Sequence, residues 1–200
     1  MTALLKLAAW IDALNERVGR WVSWLILAAV LISAVNAIVR KAFNYSSNAF
    51  LEIQWYLFAA VFLLAAGYTL LRQEHVRIDV ILGRFSRRTQ VIIESVCTLV
   101  FLLPFCVIVI DLVWPLVTRA YVSGEMSGNA GGLIRWPAFA LVPVGFTLLL
   151  LQAVSEFIKR IGFLKGLCED PGVKHKTKSD EEDLAEFLRK QTAAAAEAGK

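Results

Sequence analysis

Between Ile53 and Leu71 the chain carries no charged side chain, and it then breaks abruptly into Arg72, Gln73, Glu74, His75, Arg77 and Asp79. A helix rises about 1.5 Å per residue, so an uncharged apolar run of about 18 or more residues crosses the roughly 30 Å hydrocarbon layer of a bilayer. The stretch from Asn48 to Leu82 therefore reads as a membrane span with a charged exit.

Composition agrees with that reading: 58% of residues are hydrophobic and 19% charged, and the mean hydropathy is +0.60. Soluble domains hold an apolar share nearer 45–50%. The expected fold is an all-α integral membrane protein with four transmembrane helices, at about 21–39, 50–71, 91–113 and 136–157. Residues 1–20 form an N-terminal amphipathic helix in the membrane interface, with Leu4, Leu7, Ile11, Leu14 and Val18 at helical spacing and Trp10, Trp21 and Trp24 at headgroup depth. A cleaved leader is disfavoured, because Asp12 to Arg20 interrupts the apolar run too early. Residues 21–164 form the transmembrane domain and 165–200 a polar, partly helical tail.

Single residues within the spans allow more than one role. Ala29, Ser33 and Ala37 share a face that lets another helix approach closely. Asn36 fits either an interhelical hydrogen bond or a binding role. Ser47 or Asn48 can cap the second helix, and Glu52 falls where the helix dipole favours a carboxylate or where it could pair with Arg40 or Lys41. Pro104 is expected to kink the third span. The connection from Trp114 to Arg135 holds Gly124, Glu125, Ser127, Gly128, Asn129, Gly131 and Gly132, and loops of that length often carry function.

Charge sets the expected orientation. Four spans put both termini on one side with the 72–88 connection, where Lys6, Arg17, Arg20, five loop arginines, Lys159, Arg160 and Lys165 outnumber Arg40, Lys41, Arg119 and Arg135 on the other. By the positive-inside rule both termini are cytoplasmic and the glycine-rich connection faces outward. The same clustering explains the net charge of +4 without nucleic acid.

Chemistry is sparse. The midplane levels fall near Val30, Val61, Leu102 and Phe146, with no ionisable side chain within about two turns, so a side-chain proton or ion path is not expected. His75 and His175 are the only histidines and lie outside the spans; no cofactor, metal set or catalytic constellation is expected. Cys97, Cys106 and Cys168 read as packing thiols.

Glu52 to Trp55, the exit from Gly67 to Leu71 and the run His75, Val76, Arg77, Ile78, Asp79 carry a resemblance when taken in order with Gly124 to Ser127, Trp136, Pro137 and Pro143 to Gly145. From about Trp21 to Ile161 the chain resembles the small, four-span membrane subunit of tripartite ATP-independent periplasmic (TRAP) transporters. The resemblance implies a non-catalytic scaffold in the bacterial inner membrane. It braces a separate large elevator subunit during sodium-coupled uptake of a small organic acid or related solute, delivered by a periplasmic binding protein. Within it, His75, Arg77 and Asp79 are read as a structural elbow and Arg119 and Glu125 as contacts for the binding protein. Ala29, Ser33, Ala37, Glu52 and Trp55 are the candidate contacts for the large subunit, with lipids around them. A self-assembling four-helix transporter or channel is the alternative.

Overall fold

The computed structural model describes residues 2–44, 47–73 and 84–168. Among these the long regular elements are all helices, four of them long and apolar enough to cross a membrane: α1 (Thr2–Phe43), α2 (Asn48–Arg72), α3 (Arg87–Ser123) and α4 (Trp136–Leu164). The expected all-α, four-span architecture is observed. His75, Arg77 and Asp79 lie outside the described residues, as does the tail from 169 onward.

Several helix ends lie beyond the spans read from sequence, including that of α4, which runs on to Leu164, and two of the differences have a local reason. Residues 2–20 and the first span form one continuous helix of 42 residues, about 63 Å long. The charges that suggested a break are absorbed, because Asp12 and Glu16 face partners on neighbouring helices. The third helix continues past Val113 to Ser123, with Pro115 inside it, so the connection shrinks to 124–135. The Thr118 hydroxyl donates to the carbonyls of Trp114 and Pro115 at 3.2 and 3.0 Å, occupying acceptors next to the proline.

Pro104 acts on α3 as a widened turn. Its ring removes a backbone donor and crowds the preceding turn. The backbone opens into a π turn at Thr98–Leu102, where the amide of Leu103 reaches back to the carbonyl of Thr98.

The packing is centred on α4. It contacts all three other helices; α1 and α2 also pack along each other, while α3 has its main contacts with α4 and shares no substantial contact with α1. Accordingly 28% of the most apolar window of α4 is buried, against 11% in each of the other helices. Two glycines permit the close approach of α2 to its neighbours. A Cβ on Gly145 would stand 2.7 Å from the carbonyl oxygen of Leu63, and one on Gly67 would stand 2.3 Å from Asn15 Oδ1 and 3.1 Å from the carbonyl oxygen of Leu148. Large side chains at these positions would push the helices apart.

Candidate functional site

The four helices have two ends, and each is organised by polar side chains. At the loop end α1 finishes and α2 begins, with the connection 124–135 against α2; at the opposite, terminal end α1 begins and α4 finishes.

At the loop end Glu52 is the anchor. It sits one turn into α2 and is 3% exposed. Its Oε1 accepts the hydroxyl of Ser127 and the side-chain amide of Asn129 at 2.7 Å, and its Oε2 accepts the backbone N–H of Leu133 at 2.7 Å. A carboxylate can accept on both oxygens, and charge-assisted bonds of this kind are the stronger ones. Gly132 makes the approach possible, since a Cβ there would stand 2.9 and 3.0 Å from the two carboxylate oxygens.

The rest of the connection folds around that anchor. Met126 and Ile134 form an antiparallel bridge, Ser127 N–H donates to the Leu133 carbonyl at 2.9 Å, and Arg135 N–H donates to the Glu125 carbonyl at 3.0 Å. Glu125 and Arg135 also form an ion pair at 2.7 Å, and the Arg135 guanidinium lies over the Phe139 ring. From α2, Asn48 donates to the Ala130 carbonyl at 3.0 Å and Tyr56 to the Ile134 carbonyl at 3.2 Å. Asn48 thus serves the loop, while Ser47 occupies the N-cap without a side-chain capping bond. A glycine-rich segment becomes a shaped surface fixed to α2.

The expected site residues distribute unevenly around this surface. Arg119 is exposed on α3, and Glu125 is held by its pairing with Arg135. Ala29 is fully buried and Glu52 nearly so inside the chain itself, whereas Ser33, Ala37 and Trp55 remain exposed. The partners of Glu52 are loop groups rather than Arg40 or Lys41.

The terminal end holds a polar network whose members on α4 the sequence reading did not single out as a group. Asn15 donates to Gln152 Oε1 at 2.9 Å, and Gln152 and Ser155 donate to Asp12 Oδ1 at 2.9 and 2.7 Å. Lys159 donates to Asp12 at 3.0 Å and to Glu156. Nearby, Arg160 donates to Thr98 Oγ1 at 2.9 Å and lies 3.5 Å from the Glu94 carboxylate, joining α4 to the π turn of α3. Arg72 pairs with Glu16 and lies over the Tyr68 ring, joining α2 to α1. The signal for the network was present: Gln152, Ser155, Glu156 and Lys159 recur at three- and four-residue spacing, the spacing of one helix face.

This arrangement can hold helices and shape a loop; it brings no reactive set together. Among the described residues no three His, Cys, Asp or Glu side chains cluster as metal ligands.

Comparison with known proteins bears on the whole assembly of four helices. No curated protein and no solved structure matches the chain. The family described as tripartite ATP-independent periplasmic transporters, DctQ component, matches residues 29–162, from within α1 to within α4. That match covers more than half of the chain and reaches every one of the four spans, with the Glu52 anchor and the shaped loop inside it, and the chain belongs to this family: it is a small membrane component of a TRAP transporter.

Proposed function

We propose that this chain is the non-transporting scaffold of its transporter, bracing a separate large membrane subunit that carries the solute. The observation that carries this reading is the open packing of the helices. Because α1 and α3 share no substantial contact, the four helices do not ring a central pathway. The buried charged groups Glu52, Glu156 and Arg160 lie toward the helix ends, not at mid-membrane. Intramembrane charge is the usual mark of an ion route, and its distribution here supports structural clamps.

Exposed apolar side chains such as Val30, Leu31 and Val35 on α1 and Phe101 and Leu112 on α3 offer broad faces for lipid and for the large subunit. Trp55, exposed on α2, is a contact for that subunit, while Ala29 and Glu52 act from inside the chain. The excess of Lys and Arg at the terminal end supports cytoplasmic termini in the inner membrane. The loop end then faces the periplasmic binding protein, with Arg119 reaching it directly and Glu125 shaping the loop through Arg135. In this reading, sodium-coupled uptake of a small organic acid or related solute takes place in the large subunit.

Co-expression with the large subunit and purification in mild detergent tests the assignment. A stable complex of the two chains is expected. A homo-oligomer of this chain that conducts ions or solute without a partner would overturn the scaffold reading in favour of a self-assembling channel.

A further inference from the structure

A second polar feature at the loop end lies outside the Glu52 cluster. Between α1 and α2 opens a cleft of about 710 Å³, lined by Ser33, Asn36, Arg40, Lys41, Asn44 and Gln54 among others. Its charge is one-sided: Arg40 and Lys41 are exposed, form no ion pair, and no acidic side chain lines the cleft among the described residues. Asn36 is only 9% exposed, and its side chain makes no hydrogen bond among the described residues; its amide atoms are not sealed off but open onto the cleft. In the cleft Ser33 donates to Gln54 Oε1 at 3.4 Å, and the Gln54 side-chain N–H groups make no hydrogen bond among the described residues. An amide that opens onto the cleft, beside two cations without an ion pair, presents donors of one charge sign to whatever occupies it.

We propose that this cleft binds the headgroup of an anionic phospholipid. The vertical order of the groups carries the assignment. Arg40 and Lys41 close the apolar run of α1, at the level where the hydrocarbon layer gives way to headgroups. Asn36 and Ser33 lie one and two turns deeper, about 6 and 10 Å along the helix axis. A phospholipid has the same order: a phosphate at the headgroup level, ester carbonyls below it, then acyl chains. The cations meet the phosphate oxygens, and the amide N–H groups of Asn36 and Gln54 meet the ester oxygens. Leu51 on α2 lines the cleft, and Val30, one turn below Ser33 toward the same face of α1, is exposed and provides apolar surface for the chains. Free inorganic phosphate shares the upper contacts only. A carboxylate from a neighbouring protein helix could engage the same cations, but it would leave the lower amides without acceptors.

Native mass spectrometry of the full-length chain from detergent, with phosphatidylglycerol, phosphatidylcholine or inorganic phosphate added, tests the proposal. Phosphatidylglycerol is expected to be retained in preference to phosphatidylcholine. R40Q/K41Q should weaken that retention about thirtyfold, as removal of two basic residues at a membrane surface implies. Asn36→Leu keeps both cations and should also lower retention, which general attraction of acidic lipid would not do. Equal retention of the two lipids, no effect of R40Q/K41Q, or no effect of Asn36→Leu would overturn the proposal. So would displacement of the lipid by millimolar inorganic phosphate, which makes the site one for free phosphate. Loss of bound phosphatidylglycerol when the large subunit joins would make the cleft a protein interface and overturn it as well.

Discussion

The carboxylate of Glu52 accepts the side-chain amide of Asn129, 77 positions further along the chain, at 2.7 Å. With Ser127 and the Leu133 N–H on the same carboxylate, one acidic residue holds the connection 124–135 against α2. Glu52→Gln keeps the shape but turns one acceptor into a donor that faces other donors. Losing a hydrogen bond to a charged group costs about 1.5–3 kcal/mol, so exchange protection of the Leu133 amide should fall roughly tenfold to a hundredfold. Hydrogen exchange by mass spectrometry over the loop reads this directly; unchanged protection would show that the loop is held by other means.

Gly145→Ala should be strongly destabilising, because its Cβ would meet the Leu63 backbone at 2.7 Å and backbone cannot move aside cheaply. Overpacking of this kind costs about 1–3 kcal/mol. Gly128→Ala is the matched control, with nothing within 4 Å of the added carbon. Thermal melting in detergent should separate the two variants by several degrees, and equal melting temperatures would contradict the close α2–α4 packing.

Arg160 is buried beside Glu94 and Thr98, and its removal leaves a shielded carboxylate with less compensation. Arg160→Met should therefore cost about 3–5 kcal/mol, the range for breaking a buried pair from one side. Glu94→Gln with Arg160→Met should recover part of that loss, because the carboxylate left with less compensation is then neutral. A double-mutant cycle on melting temperature measures the coupling, and simple additivity would argue against it.

Cys168 lies beyond the end of α4, where its thiol donates to the Lys159 carbonyl at 3.2 Å. Burial pushes the thiol above its ordinary value, with Lys159 opposing the shift. The neutral thiol is the form that folding favours. Its contribution is fully present below about pH 8.5, the ordinary thiol value, and is lost as pH rises through the raised value. Alkylation of Cys168 should thus be slow at pH 7.5 and climb at a higher pH than for an exposed thiol, because thiolate forms later. Wild-type melting temperature should fall over the same alkaline window relative to Cys168→Ser; parallel curves would contradict the shift.

The four spans were legible because uncharged apolar length is a local property, visible at Ile53–Leu71 without any knowledge of neighbours. The partners of Glu52 were not, since the register between α2 and a loop more than 70 positions away depends on how α4 returns beside α2. Asp12 and Glu16 read as a break in an apolar segment, yet Lys159 and Arg72 lie opposite them and the helix runs through. Ala29 shows the same limit from the apolar side. Its small-residue face predicted a close helix contact, but periodicity alone could not say that the contact is made within the chain.

The scaffold assignment is tested most directly by solute uptake in proteoliposomes supplied with the binding protein and a sodium gradient. Three preparations are compared: the large subunit alone, this chain alone, and both together. Sodium-dependent uptake is expected only when both are present. Full uptake by the large subunit alone, or uptake by this chain alone, would contradict it.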